Sequence, residues 1–291
     1  MIKSITSFNE VKTKFLNNEL IGEWKLSDDI YHHQDMNLIA YSSSNLKIIH
    51  KSIRHFIMPQ PKEESPSLKF GRDFHCAILE NDTFADRYLI KPKFDLRTKL
   101  GKEENEKFNE LSKCKILINQ DDHDLIMAMK NKLFENEKFK KIFDNCLKEV
   151  SYFFHDTFTN ELCRIKTDMI DHSNRFIYDL KTTDDCTPQG FSKSIAKYLY
   201  DLSAAFYLDG IYNLYRQNEY SFVFIVIEKE PPHHFNFFQL GEESIAAGRI
   251  LYQQALRKIN KYKLENEPSK YLEPDFTILE MPVWALRDNL R

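Results

Sequence analysis

Thr167-Asp168 and Asp179-Leu180-Lys181 stand ten residues apart. Side chains alternate along a strand, so Asp179 and Lys181 share one face while Leu180 points to the other. If residues 162–170 and 175–181 pair as a hairpin, Asp168 and Asp179 converge at one end of a sheet. Two carboxylates held that way are hard oxygen ligands suited to magnesium or manganese. A metal there would neutralise charge building on a phosphate and lower the pKa of the attacking water. The ammonium of Lys181 would orient that water or stabilise the oxyanion. This is a minimal kit for phosphodiester hydrolysis, with no covalent nucleophile and no organic cofactor. The same Asp-x-Lys pattern also describes a solvated strand edge, so its neighbours matter.

His75, in Phe70-Gly71-Arg72-Asp73-Phe74-His75, lies beside the apolar positions Ile78 and Leu79. It reads either as a core histidine or as an imidazole completing a metal site. Glu149 opens a strand beside Lys148, as a solvated end or as a metal- or water-binding group. Arg164 and Lys166 share strand parity with Asp168, facing a phosphate backbone or pairing with surface acids. The run 91–102 carries five positive charges and one negative, with proline, phenylalanine and glycine among them. It suits a plain solvated loop or one that tracks a DNA strand.

The elements that must position these groups follow from pattern. Ser44 is a candidate N-cap for a short helix ending before Pro59. A second helix is expected over 67–80, with Leu68, Phe74, Ile78 and Leu79 as apolar positions. A polar helical region follows over about 102–146, broken near 119–122. Three strands are expected over 149–154, 162–170 and 175–181, rich in β-branched and aromatic residues. A long helix over 191–215, strands over 221–228 and 234–240, and a helix over 248–262 complete the pattern. A mixed α/β core results. The proline-rich breaks at 59–66 and 91–93 are too short for interdomain linkers. One domain is therefore expected over 1–291, with a helical N-terminal part over about 1–146 and a catalytic sheet core over about 147–291.

Composition narrows the classes. Of 291 residues, 42% are hydrophobic and 29% charged, as in an ordinary globular chain. The net charge of −3 decides nothing about DNA, because a local basic groove can sit on an acidic protein. The seven glycines are never closer than seven residues apart, which excludes a P-loop, a dinucleotide fingerprint and a nucleophile elbow. Five scattered cysteines without a C-x-x-C pair argue for buried thiols rather than disulfides or a zinc site. The longest strongly apolar run, 222–227, is far too short for a membrane span, and the first residues lack the apolar stretch of a signal peptide. A cytoplasmic protein without a membrane partner is expected.

A set of short motifs occurs in order: Phe70 to His75, Arg97-Thr98-x-x-Gly101-Lys102, Glu149-Val150-Ser151, Cys163-Arg164-x-Lys166-Thr167-Asp168, Asp179-Leu180-Lys181-Thr182-Thr183, Ala204 to Gly210 and Glu228-Lys229-x-Pro231-Pro232. Together they resemble the exonuclease VIII (RecE) C-terminal nuclease family of the PD-(D/E)xK superfamily, over about residues 30–285. The resemblance implies a central mixed sheet flanked by helices, and a 5′-to-3′ exonuclease that degrades one strand of linear double-stranded DNA with magnesium. Two ions per site are expected, and manganese is expected to substitute. It further implies a ring-shaped homo-oligomer, trimeric or tetrameric, that hands 3′ tails to a RecT-type single-strand annealing protein.

Carried over by position, the resemblance makes Asp168, Asp179, His75 and the Leu180 carbonyl metal ligands, and Lys181 the catalytic lysine. Glu149 matches the strand-opening glutamate and Tyr207 the tyrosine of a Q-x-x-x-Y helix motif. Arg72, Arg97, Thr98, Lys102, Arg164, Lys166 and Tyr207 are the expected DNA contacts. Thr167 replaces the family's proline, and Ser203 its glutamine. An endonuclease or repair nuclease on the same fold, or a DNA-binding module without turnover, are the alternatives that the residues leave open.

Overall fold

The computed structural model describes residues 2–60, 63–216, 220–265 and 278–281. Part of the proline-rich break, Pro61 and Lys62, lies outside them, as does most of the expected domain's end. The chain opens with β1 (Lys3–Ser4), α1 (Phe8–Leu16), β2 (Gly22–Lys25) and the short α2 (Asp28–Tyr31). Helices α3 (Ser43–Lys51), α4 (Ile53–Ile57), α5 (Pro66–Leu79) and α6 (Asn81–Arg87) follow. A two-stranded parallel ribbon, β3 (Tyr88–Ile90) and β4 (Ile116–Ile118), brackets α7 (Lys99–Leu111). After α8 (Gln120–Phe134) and α9 (Glu137–Asn145) come β5 (Leu147–His155), β6 (Leu162–Asp171) and β7 (Phe176–Thr183). The chain continues through α10 (Pro188–Tyr198), α11 (Tyr200–Tyr215), β8 (Ser221–Glu228), β9 (Phe235–Gln239) and α12 (Glu242–Glu265).

Seven strands form one mixed sheet in the order β1-β2-β5-β6-β7-β8-β9. The hairpin expected from β6 and β7 is present and antiparallel. The crossover through α10 and α11 then lays β8 parallel to β7, with Asp179 opposite Phe224 and Lys181 opposite Val226. Strand β8 is buried on both faces from Phe222 to Ile227, the apolar run expected of a covered parallel strand. Each such side chain contributes about 1.5–3 kcal/mol on burial.

Two cores hold the layers. On one face Leu46 and Ile49 of α3, Leu202 and Phe206 of α11 and Leu256 of α12 pack on the sheet. On the other, Phe74 and Ile78 of α5, Ile126 of α8 and Phe139 of α9 pack around Leu180 and Ile225. A third cluster joins Val11, Trp24, Tyr31 and Met36 of the N-terminal segment to Phe153 and Leu162. Helices α11 and α12 approach so closely at Gly248 that a Cβ there would sit 2.1 Å from the Asp201 carbonyl oxygen.

Several elements differ from expectation, beginning with the first helix, which is capped by Ser42 rather than Ser44 and splits at the extended Ser52 into α3 and α4. The N-terminal part is not helical throughout: β1 and β2 extend the main sheet, and β3 and β4 form the ribbon. Strand β4 lies in the stretch read as polar helix, because three apolar residues carry too short a period to register. The single long helix expected over 191–215 is two, divided at Leu199, whose φ of 51° is left-handed. That break turns Tyr198 and Tyr200 onto different helices.

Candidate active site and metal centre

The candidate chemistry sits where the sheet's ladders open. Lys148 pairs with Met169 and Val150 with Thr167, so the register sets Glu149 opposite Asp168 without a ladder pair between them. Between β6 and β7 the ladder runs only as far as Met169–Tyr178. One step further, the Leu180 N–H donates instead to Asp168 Oδ2 at 2.7 Å. Asp168 thus replaces a backbone bond with a side-chain bond, and the strands part there. Glu149 has a φ of 54°, a left-handed conformation that costs a non-glycine residue about 1–3 kcal/mol and clusters at functional sites.

Helix α5 delivers His75. It is N-capped by Ser65, whose hydroxyl accepts the Leu68 N–H, and starts at Pro66, a favoured first-turn residue. The buried Phe74 and Ile78 fix its face. His75 Nε2–H then donates to the Leu180 carbonyl at 2.7 Å, and Nδ1 lies 3.5 Å from Asp168 Oδ2. Burial and the neighbouring Lys181 hold the imidazole below its ordinary pKa, so it is neutral near pH 7. Lys181 Nζ forms an ion pair with Asp179 Oδ2 and lies 3.3 Å from the Leu180 carbonyl.

Electrostatics follow from crowding. Burial, and then the adjacent Asp179, push the Asp168 carboxyl up to about 7. Burial raises Glu149 to about 7 although Lys166 pulls the other way. Burial works against the charge of Lys181, but Asp179 and Asp168 outweigh it and raise its pKa. Crowding of carboxyls thus opposes their full ionisation, and Lys181 is the cation in direct contact with Asp179.

A divalent cation fits this donor set. Asp179 Oδ2 is buried and, apart from its ion pair, accepts no hydrogen bond. Asp168, Asp179 and the Leu180 carbonyl offer hard oxygens, and neutral His75 adds a nitrogen. Among the described residues, the group whose ligand atoms all lie within 4.8 Å of one another is a different one: Asp28, Glu80 and Glu149. There Lys166 already pairs with both Asp28 and Glu149, so an ammonium supplies the counter-charge. Sequence reasoning missed Asp28 and Glu80. Neither carries a motif, and both reach the cleft only through the packing of the N-terminal segment and the end of α5.

The other expected residues divide. Arg72, Lys166 and Tyr207 line a cleft of about 1280 Å³ together with His75, Glu149, Asp168, Asp179 and Lys181. That volume exceeds the ~300–1,000 Å³ usual for a small-molecule pocket. Arg72 is clamped to Glu64, with both oxygens at 2.7 Å. Ser203, in the place of the family glutamine, lines the cleft one turn before Tyr207. Arg97, Thr98 and Lys102 lie outside the cleft wall. Thr98 caps α7 by accepting the Gly101 N–H at 3.0 Å, and Arg97 pairs with Asp95 at 3.2 Å.

Arg164 corrects the parity argument. It shares the strand face of Lys166, but the segment before α3 covers it. Its guanidinium donates to the carbonyls of Met36 and Ala40 and to Asn37 Oδ1. Only 3% of the residue is exposed, so it is a structural residue and not a phosphate contact.

The raised carboxyls favour the folded, metal-free protein below about pH 4, and that contribution is lost as pH rises through about 7. Metal must displace these protons, so added magnesium is expected to raise the melting temperature more at pH 8 than at pH 6. Thermal unfolding with magnesium and with EDTA at both pH values checks this. An equal shift at the two would contradict it.

Comparison with known proteins adds the family. A family profile described as a PDDEXK-like domain of unknown function (DUF3799) matches residues 42–273. A solved structure from Eubacterium rectale, described as a "Putative exonuclease", aligns with a TM-score of 0.59 at 14% identity, over 89% of this chain and 96% of that one. Another, SSO0001, aligns at a TM-score of 0.29 and 11% identity over 74% and 84% of the two chains, too loosely to argue from. No curated protein matches the sequence. No described helix is long and apolar enough to cross a membrane.

Proposed function

We propose, from the premise that this chain belongs to the PDDEXK-like family matched over residues 42–273, that it is a magnesium-dependent 5′-to-3′ exodeoxyribonuclease acting on linear duplex DNA. The superfamily is one of nucleases, which break phosphodiester bonds and generally use divalent metals, and the mixed seven-stranded sheet is its fold. The family match also fits the sequence likeness to RecE-type nucleases. The finer reading rests on one observation above all: Asp168, Asp179 and Lys181 meet in one cleft where β6 and β7 part. The exonuclease description of the Eubacterium rectale protein, whose fold this chain shares, supports end-directed cleavage.

Each residue then has a physical task. Asp168, Asp179, the Leu180 carbonyl and His75 would hold the ion, with Glu149 placed to hold a second ion or a water beside Asp168. A bound magnesium would supply charge neutralisation at the phosphate and a water of lowered pKa. Lys181, fixed by Asp179, presents its ammonium to the developing oxyanion. Arg72 can exchange Glu64 for a phosphate, a charge-assisted contact in either case. Arg97 and Lys102, exposed beyond the cleft, would track the strand by charge alone.

We further infer a ring-shaped homo-oligomer, trimer or tetramer, working with a RecT-type annealing protein, from the sequence resemblance. The test of polarity is a linear duplex labelled at one 5′ or one 3′ end. Early release of the 5′ label is the expected result. Early release of the 3′ label would overturn the polarity, and cutting of covalently closed circles would overturn the exonuclease reading and leave an endonuclease on the same fold.

A further inference from the structure

Helix α3 carries a further lysine into the cleft, away from every motif above. Ser42 and Asn45 close a capping box at its start, and the fully buried Leu46 and Ile49 pin its inner face. Lys47, between them, therefore has a fixed direction. It lines the cleft, and its Nζ lies 5.1 Å from the centroid of the Tyr200 ring. Lys181 Nζ lies 5.5 Å from the same ring. Two ammonium groups thus share one aromatic ring, which attracts both through its quadrupole.

Their situations differ in one respect. Lys181 has Asp179 as its counter-ion. Lys47 makes no ion pair among the described residues; the acids that face it, Asp179 and Asp201, act only from beyond contact. A cation kept partly out of water without a contacting counter-ion is unfavourable, and such perturbed groups in clefts cluster at functional sites.

We infer that Lys47 is a substrate-binding residue that takes the phosphodiester next to the scissile one, with Tyr200 holding its ammonium in place. The inference rests on the nuclease reading and adds a contact that the sequence motifs do not contain. Burial and Lys181 push the Lys47 pKa down to about 8, and an arriving phosphate reverses that pressure. Lys181, paired with Asp179, serves the reacting group itself, so the two lysines divide chemistry from grip.

The division can be measured. Lys47→Gln and Lys47→Arg are compared with the unaltered chain on linear duplex DNA with magnesium. Duplex binding is also measured against salt in EDTA, where no turnover occurs. For Lys47→Gln, KM is expected to rise about tenfold while kcat falls less than about threefold. The slope of log affinity against log salt is expected to become shallower by about 0.7–0.9, as one phosphate interaction disappears. Lys47→Arg should restore both. Unchanged KM and slope in Lys47→Gln would overturn the inference, as would a lost kcat at unchanged KM. If the unaltered chain neither binds nor cuts DNA, the nuclease reading itself has failed.

Discussion

Lys181→Ala is expected to lower the rate of DNA cleavage by about 10²–10⁴-fold, the usual effect of removing a positioned proton-transfer group or oxyanion donor. Lys181 is the cation at Asp179 and Asp168, and burial has not lowered its pKa because those two carboxylates outweigh it. It is therefore charged at any working pH and aimed at the point where the strands part. Its removal also leaves Asp179 buried without a counter-ion. The variant should melt lower than the unaltered protein in EDTA and recover in magnesium, because a divalent ion replaces the lost charge. Asp179→Ala should be as inactive and should show no such recovery, since a ligand has gone. Steady-state rates and melting curves of the two purified variants check this. Near-normal cleavage in either would remove the assignment.

Arg164→Ala is expected to destabilise the fold by about 3 kcal/mol, with no direct effect on DNA contacts. Three oxygens, from Met36, Asn37 and Ala40, accept hydrogen bonds from this guanidinium. The buried Ala40 carbonyl would lose this donor, at about 1–3 kcal/mol before any relaxation, while the Met36 carbonyl keeps the N–H groups of Ile39 and Ala40. The cation also lies 5.2 Å from the ring of Tyr31, and truncation to alanine removes that attraction as well. Chemical denaturation gives the measure. An unaltered midpoint together with weakened DNA binding would show that Arg164 meets phosphate after all.

The contrast between Arg164 and Lys181 shows what could be read from the chain. Alternation along β6 and β7 correctly set Asp179 and Lys181 on one side and Leu180 on the other, because strand geometry allows no other outcome. Leu180 is fully buried beneath α5, and Asp179 and Lys181 border the cleft. The same alternation placed Arg164 with Lys166 but said nothing of what would lie over them. That cover comes from a segment more than 120 residues earlier, and no local pattern reports it.

The helix break at Leu199 was hidden for a related reason. Apolar spacing persists from α10 into α11, and one left-handed residue leaves no compositional trace. Tyr200 owes its place beside both lysines to that break. Lys47 belongs to none of the sequence motifs, and its residue type alone does not mark it. What distinguishes it is the missing carboxylate partner, a property of tertiary packing. Asp28 and Glu80 meet Glu149 for the same reason.

The central claim is that these acids and Lys181 form a metal-dependent phosphodiesterase centre. Its most direct test is the release of acid-soluble nucleotides from linear duplex DNA, with magnesium and with EDTA. Steady release with magnesium, abolished by EDTA and restored by excess magnesium, is the predicted result. Clean duplex binding with no release at any magnesium or manganese concentration would contradict it and leave a DNA-binding module on a nuclease fold.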